Sequence, residues 1–133
     1  MNLLSNATKL NVLIVDDSEI IRSRLVDMLS DIKDIGVINQ AENLKQAVSS
    51  IYRSSPNIII LDLQLPDGCG LELIDKIKTM QLNPVIIVFT NYTFPQYRKK
   101  SEDLGVKYFF DKSKEFTNVY ELLKDLIKES RLS

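Results

Sequence analysis

Five polar residues follow short apolar runs along this chain, and their types could support metal binding and phosphoryl transfer. Asp16 and Asp17 end the first run, Asp62 ends another, and Thr90 and Lys112 end two later ones. Two carboxylates about 4 Å apart repel by about 4 kcal/mol at an effective dielectric constant of about 20, so a carboxylate cluster takes up protons or holds a cation. Oxygen ligands without Cys or His favour Mg²⁺ or Ca²⁺ over zinc or copper.

A phosphoryl group is the ligand that this set of side chains suits. Mg²⁺ keeps several waters and completes its coordination with phosphate oxygens. The cation and the Lys112 ammonium would neutralise the phosphoryl charge, and the Thr90 hydroxyl would donate a hydrogen bond. Because aspartates can form acyl phosphates, Asp62 is the candidate nucleophile. An Asp after a strand is often only a cap or a turn residue, so the interpretation depends on the whole set.

The elements that must position these residues are strands and helices in strict alternation. The predicted strands are Val12–Val15, Val37–Ile38, Ile58–Leu61, Val85–Phe89 and Val106–Phe110. Apolar residues at helical spacing follow each strand. Strands that are apolar on both faces are typical of a parallel sheet covered by helices on each side. We therefore expect an α/β fold, a five-stranded doubly wound parallel sheet in the flavodoxin-like order 2-1-3-4-5, whose ligand-binding rim carries the five polar residues.

Length and composition exclude several other classes of protein. The chain has 133 residues and a net charge of −1, which indicates one domain and argues against binding to nucleic acid or membrane by bulk charge. The absence of histidine excludes a Ser-His-Asp triad and a His-ligated zinc site. The single cysteine, Cys69, excludes an intramolecular disulfide. With neither a signal peptide nor an apolar run of about 20 residues, the sequence predicts a cytoplasmic location.

The motifs resemble the receiver domain of bacterial two-component response regulators over essentially the whole chain. The matching segments are Val12–Asp17, Leu61–Gly70, Thr90 and Phe109–Lys112. The resemblance implies one receiver domain over residues 1–133, with residues 1–10 as an N-terminal extension and 11–131 as the βα core. Because no further domain follows in this sequence, we expect a stand-alone receiver.

The resemblance also implies a role for each polar residue. Asp62 would accept a phosphoryl group from a partner's phosphohistidine, and Lys112 and Thr90 would bind the phosphoryl oxygens. Four groups would hold Mg²⁺, for which Mn²⁺ can substitute: Asp16, Asp17, Asp62 and the backbone carbonyl of Gln64.

Five positions resemble the family's regulatory positions or depart from its pattern. Thr90 and Phe109 would form the switch, and Gln64 and Tyr92 would tune the lifetime of the aspartyl phosphate. Ser113 follows the lysine where the family usually has proline.

The chain has no histidine, so the resemblance implies a donor outside it, a histidine kinase or a phosphotransfer protein. An unknown target would bind the face formed by the fourth helix, fifth strand and fifth helix, on a monomer or a phosphorylation-dependent dimer. We expect no direct nucleic-acid binding, no membrane insertion and no enzymatic turnover beyond its own phosphorylation and dephosphorylation. Two alternatives stay open, a pseudo-receiver that binds partners without phosphorylation and a Mg²⁺-dependent aspartyl phosphatase. The complete residue set counts against the first, and the spacing of Asp16-Asp17-Ser18 counts against the DxD motif of the second.

Overall fold

The computed structural model describes residues 9–132, and its main sheet has the predicted architecture. The seven strands are β1 (Leu10–Val15), β2 (Ile35–Ala41), β3 (Ile58–Leu61), β4 (Gln64–Leu65), β5 (Gly68–Cys69), β6 (Val85–Thr90) and β7 (Tyr108–Asp111). Five of them form a parallel sheet in the order β2-β1-β3-β6-β7, which confirms the predicted doubly wound arrangement. Residues 1–8 of the predicted N-terminal extension lie outside the described residues, and the division of the chain into extension and core stays a prediction.

Five helices cover the two faces of this sheet. They are α1 (Glu19–Ser30), α2 (Leu44–Ser54), α3 (Gly70–Thr79), α4 (Pro95–Asp103) and α5 (Phe116–Leu132). Successive side chains of a strand point to opposite faces, so each strand contributes to two cores. Leu13 and Val15 pack with the helices α2, α3 and α4, whereas Val12 and Ile14 pack with α1 and α5. Within residues 9–132, no helix has the length and apolar character needed to cross a membrane.

The last strand of the sheet begins later than the sequence predicts. Val106 is expected to open this strand, but its N–H donates to the Ser101 carbonyl at 2.9 Å. Gly105, with φ of 90°, makes the left-handed turn that allows this bond at the end of α4. Val106 therefore closes the helix, and the strand starts only at Tyr108.

A short hairpin follows β3 and was not predicted from the sequence. β4 and β5 pair in antiparallel fashion around Pro66 and Asp67. The Asp67 carboxylate at its tip accepts the N–H groups of Leu44 at 2.8 Å and of Lys45 at 3.1 Å. These N–H groups open α2 and have no partner inside the helix, so the carboxylate both caps the helix and ties the hairpin to it.

We predict that Asp67→Asn lowers the thermal stability, and does so more at neutral pH than in acid. The hydrogen bond from Leu44 lowers the pKa of Asp67 below its ordinary value, and the bond from Lys45 acts in the same direction. A carboxyl with a lowered folded-state pKa stabilises the fold above its unfolded pKa and loses that contribution as the pH falls through the folded value. Thermal unfolding followed by circular dichroism at neutral pH and at about pH 3 measures the difference.

Asp75→Asn is the matched control for this prediction, because Asp75 is exposed on α3 and the charge change is the same. It should leave the melting temperature nearly unchanged at both pH values. An Asp67→Asn deficit of the same size at both pH values would contradict the capping role.

Candidate functional site

The structure brings the five predicted polar residues together at the carboxyl edge of the sheet. Asp16 and Asp62 come directly after β1 and β3, Thr90 is the last residue of β6, and Lys112 follows β7. Parallel strands end at the same edge, which is why residues far apart in sequence meet there. Asp16, Asp62 and Thr90 are buried, and Asp17 is exposed to solvent.

Both carboxylate oxygens of Asp62 are held by neighbouring groups. Oδ1 accepts the Thr90 hydroxyl at 2.7 Å and the backbone N–H of Gln64 at 3.1 Å. Oδ2 lies 2.7 Å from the Lys112 ammonium. Charged and neutral donors thus fix the carboxylate from opposite sides, and its orientation is set before any ligand binds.

The Lys112 ammonium bridges two carboxylates. Its Nζ lies 2.6 Å from Asp16 Oδ2 and 2.7 Å from Asp62 Oδ2, with only 9% of the lysine side chain exposed. Burial alone would lower the pKa of Lys112, but the hydrogen bonds and charges of the two aspartates outweigh it and raise the pKa. Burial raises the pKa of Asp16, against the opposing hydrogen bond from Lys112. The lysine is therefore a firm positive charge inside an acidic site.

Three carboxylates form a cluster that fits a divalent cation. Asp16, Asp17 and Asp62 each offer an oxygen, and these oxygens lie within 4.8 Å of one another. One ammonium cannot balance three carboxylates, and an all-oxygen donor set is the type that Mg²⁺ prefers. Exposed Asp17 leaves the cluster open to solvent on one side.

The two predicted lifetime-tuning residues border the site without forming its centre. Gln64 lies in β4 with its side chain exposed, and it touches Asp62 through its backbone N–H. The Tyr92 N–H donates to the Thr90 hydroxyl oxygen at 3.1 Å. The half-buried Tyr92 ring stacks on Tyr97 of α4, with ring centroids 5.0 Å apart. Tyr92 thus links Thr90 at the carboxyl edge of the sheet, through its backbone, to α4, through its ring.

The predicted switch residue Phe109 lies in β7, and the next residue, Phe110, points to the opposite face of the sheet. Phe109 packs into the core under α2, α3 and α4, and Phe110 packs into the core under α1 and α5. The Arg98 guanidinium of α4 lies 4.4 Å from the centre of the Phe109 ring, within the range of a cation–π interaction.

Ser113, which follows Lys112, takes part in a turn that holds the lysine. The Asp111 carboxylate accepts the Ser113 hydroxyl at 2.6 Å and the Ser113 N–H at 2.8 Å, and these bonds lower the pKa of Asp111. The Lys112 N–H donates to the Thr90 carbonyl at 3.0 Å. The lysine backbone is thus fixed by β6 on one side and by the turn on the other.

One polar residue beside the site was missed from sequence. Arg22 of α1 is only 8% exposed, and its Nη1 donates to the backbone carbonyl of Asp16 at 2.8 Å. A signal was available, since Arg22 lies three residues before Leu25 and seven before Leu29 on the buried stripe of the helix. A charged residue on such a stripe requires a partner in the interior.

A family comparison identifies this arrangement. The model of the response regulator receiver domain matches residues 12–124. The chain belongs to this family. Response regulator receiver domains belong to two-component signalling, and the sheet, the acidic cluster and the lysine lie where the sequence analysis placed them.

The receiver is similar to relatives of known sequence and structure. Protein-glutamate methylesterase/protein-glutamine glutaminase 4 of Hahella chejuensis is 31% identical over 126 residues, which cover 90% of this chain and 32% of the relative. The N-terminal domain of an uncharacterized protein from Wolinella succinogenes has a TM-score of 0.82 at 28% identity, covering 92% of this chain and 97% of that one. The isolated REC domain of RcsB from Salmonella enterica serovar Typhimurium was solved with the phosphomimetic BeF₃⁻. It has a TM-score of 0.82 at 26% identity, and the match covers 90% of this chain and 89% of that one.

The curated relatives matched by sequence are longer than this chain. This chain spans between 23% and 49% of the curated relatives that it matches. The similarity therefore concerns their receiver portion.

We predict that Asp17→Asn stabilises the metal-free receiver, because it removes one of three clustered negative charges. The gain in the free energy of unfolding should be only about 1 kcal/mol, because solvent screens the exposed Asp17 carboxylate. Adding Mg²⁺ should then stabilise the wild type and leave the variant nearly unchanged, since a bound ligand stabilises only the form that binds it. Urea unfolding with a chelator and with Mg²⁺ measures both effects.

Asp27→Asn provides the same change in net charge on the exposed face of α1, outside the cluster. It should retain the full response to Mg²⁺. The metal assignment is wrong if Asp17→Asn responds to Mg²⁺ as strongly as Asp27→Asn does.

Proposed function

We propose that the receiver accepts a phosphoryl group on Asp62 from a phosphohistidine of a histidine kinase or a phosphotransfer protein. The observation that carries this proposal is the position of the Asp62 carboxylate between the Thr90 hydroxyl and the Lys112 ammonium. A nucleophile, a hydroxyl donor and a cation meet there beside two further carboxylates. Residues 1–133 contain no histidine, so the proposed phosphohistidine lies outside them.

The proposed reaction uses the chain's own groups in defined roles. A carboxylate oxygen of Asp62 attacks phosphorus, a new P–O bond forms, and the P–N bond to the donor imidazole breaks. The electron pair of the broken bond stays on the imidazole nitrogen. Lys112 and Thr90, which hold Asp62 before the reaction, then bind oxygens of the transferred group and offset its charge.

The acidic cluster would hold the divalent cation that this chemistry requires. Asp16, Asp17 and Asp62, together with the backbone carbonyl of Gln64, are the proposed ligands of Mg²⁺, and Mn²⁺ can take its place. When bound, the cation neutralises charge on the phosphoryl oxygens. Its support on this chain is the all-oxygen donor set within 4.8 Å.

Phosphorylation would change the surface formed by α4, β7 and α5. Ser101 is the one fully buried residue among Pro95–Asp103 of α4, so the helix is weakly anchored in the core. It contacts the site region through Tyr97 on Tyr92 and through Arg98 on Phe109. A shift of Thr90 toward the phosphoryl group would alter these contacts and bias the surface toward a second state, with Phe109 repacking. An unknown protein target is the proposed reader of that state, and the receiver is a monomer or a phosphorylation-dependent dimer.

Catalytic turnover on an external substrate is not part of the proposal. The methylesterase relative matches this chain over 32% of its own length, so its named activity does not transfer to the receiver. A cytoplasmic location stays a prediction, supported by the receiver family and by the free thiol of Cys69. The pseudo-receiver alternative differs in one respect, since it would bind its partner with Asp62 unmodified.

We predict that acetyl phosphate and Mg²⁺ add one phosphoryl group to the receiver, measured by intact-protein mass spectrometry. Asp62→Asn should abolish the addition, and Asp75→Asn, an equal charge change on α3, should retain it. An adduct that persists in Asp62→Asn would refute the proposed acceptor. No adduct on the wild type, with acetyl phosphate or with a phosphorylated histidine-kinase donor, would favour the pseudo-receiver.

We predict that Tyr92→Ala shortens the lifetime of the phosphorylated receiver several-fold. The Tyr92 backbone N–H contacts the Thr90 hydroxyl and the Tyr92 ring stacks on Tyr97, so we expect the ring to limit the approach of water to the acyl phosphate. Loss of the phosphorylated mass after removal of the donor measures the rate. Tyr52→Ala is the matched control, because Tyr52 is 67% exposed on α2 and should not affect the rate. Equal decay of the two variants would contradict a shielding role for Tyr92.

A further inference from the structure

Arg22 is a buried charge that phosphoryl transfer does not use directly. Its side chain lies at the junction of α1, β1 and β2 with 8% of the residue exposed. Nη1 donates to the Asp16 carbonyl at 2.8 Å, and Nε donates to the Gln40 side-chain oxygen at 3.0 Å. Burial of a guanidinium is unfavourable unless its N–H groups are paired, so these two bonds define where the side chain can lie.

The Arg22 bond completes the set of contacts that orient Asp16. The Asp16 N–H donates to the Ala41 carbonyl at 3.0 Å, and Oδ1 accepts the Ser18 N–H at 2.9 Å. Oδ2 is paired with Lys112 at 2.6 Å. The remaining polar group of the residue is its carbonyl, and Arg22 holds it. Every hydrogen-bonding group of Asp16 is thus fixed by a different part of the fold.

The guanidinium is placed to orient the cluster without occupying it. It contacts the main chain of Asp16, and it forms no ion pair with a carboxylate among residues 9–132. A guanidinium inserted among the carboxylate oxygens would compete with a divalent cation for them. From its position behind the Asp16 backbone, Arg22 leaves the three carboxylates facing one another.

We propose that Arg22 is a positioning residue for divalent-metal binding: it holds the Asp16 backbone so that the Asp16 carboxylate can share a cation with Asp17 and Asp62. The inference rests on the proposed function, since it assumes that this cluster binds Mg²⁺. Groups that hold metal ligands in place typically affect metal affinity by 10–100-fold when they are removed.

Titration calorimetry with Mg²⁺ tests this proposal on the full chain. Arg22→Met, which keeps the apolar stem and removes the donors, should weaken Mg²⁺ binding by about 10-fold. Arg22→Lys keeps the positive charge and loses the planar fork, so it should also bind Mg²⁺ more weakly than the wild type. The matched control is Arg24→Met on the same helix, because Arg24 lies over the Phe116 ring and outside the cluster. Its affinity for Mg²⁺ should equal that of the wild type.

The opposite outcomes separate positioning from charge and from stability. If Arg22→Met binds Mg²⁺ as tightly as the wild type, or more tightly, the proposal is overturned, because the guanidinium then acts only as a structural group or as a repelling charge. Wild-type affinity in Arg22→Lys would overturn it as well, since charge alone would suffice. Urea unfolding of each metal-free variant shows whether the fold is retained.

A milder variant covers the case in which Arg22→Met does not fold. Gln40→Ala removes the partner of Nε and leaves Arg22 in the chain. It should weaken Mg²⁺ binding in the same direction by a smaller factor, and an unchanged affinity would count against the proposal. Failure of the wild type to bind Mg²⁺ would instead refute the metal site of the proposed function, a result distinct from wild-type binding that is insensitive to Arg22.

Discussion

The site of the receiver depends on one lysine placed between two buried carboxylates. Lys112 comes from the end of β7, whereas its partners Asp16 and Asp62 follow β1 and β3. The ammonium joins the end of β7 to the ends of β1 and β3, and it offsets the negative charges that Asp16 and Asp62 bring together. Breaking a buried ion pair leaves an uncompensated charge, which is far more costly than losing an exposed pair. The carboxyl edge of the sheet is thus held together by charge as well as by the strands beneath it.

The apolar strands supply the rigidity that this arrangement needs. Every side chain of β3 is buried, and so are the last four residues of β1 and of β6. Closely packed protein interiors resist deformation, so the buried strands hold the polar residues at their ends in fixed positions. Two loops beside the site are also held by hydrogen bonds. The Asp111 carboxylate accepts the Ser113 N–H in the turn after β7, and the Asp67 carboxylate of the hairpin accepts the Leu44 N–H of α2.

Rigidity is unevenly distributed around the site. α1 lies against the core through Leu25 and Leu29 and carries the buried Arg22 behind the acidic cluster. α4 has a polar surface. It contacts its surroundings through the Tyr97 ring, which stacks on Tyr92, and through the Arg98 guanidinium, which lies over the Phe109 ring. Regions with few buried apolar contacts open at low free energy. The acidic cluster therefore lies beside a firmly packed helix, whereas α4, which belongs to the proposed output surface, is packed less firmly.

The sequence by itself determined the α/β class and the five polar residues at the strand ends, because apolar periodicity is a local pattern, and the strand order was predicted as a common arrangement of such folds. Phe109 and Phe110 pack into opposite faces of the sheet, as alternation along a strand requires. Only the tertiary structure showed that Val106 closes α4, that the turn at Asp67 belongs to a paired hairpin capping α2, and that Arg22 supports Asp16. Each of these features is a hydrogen bond whose partner cannot be identified from local sequence pattern, so the packed chain decided them.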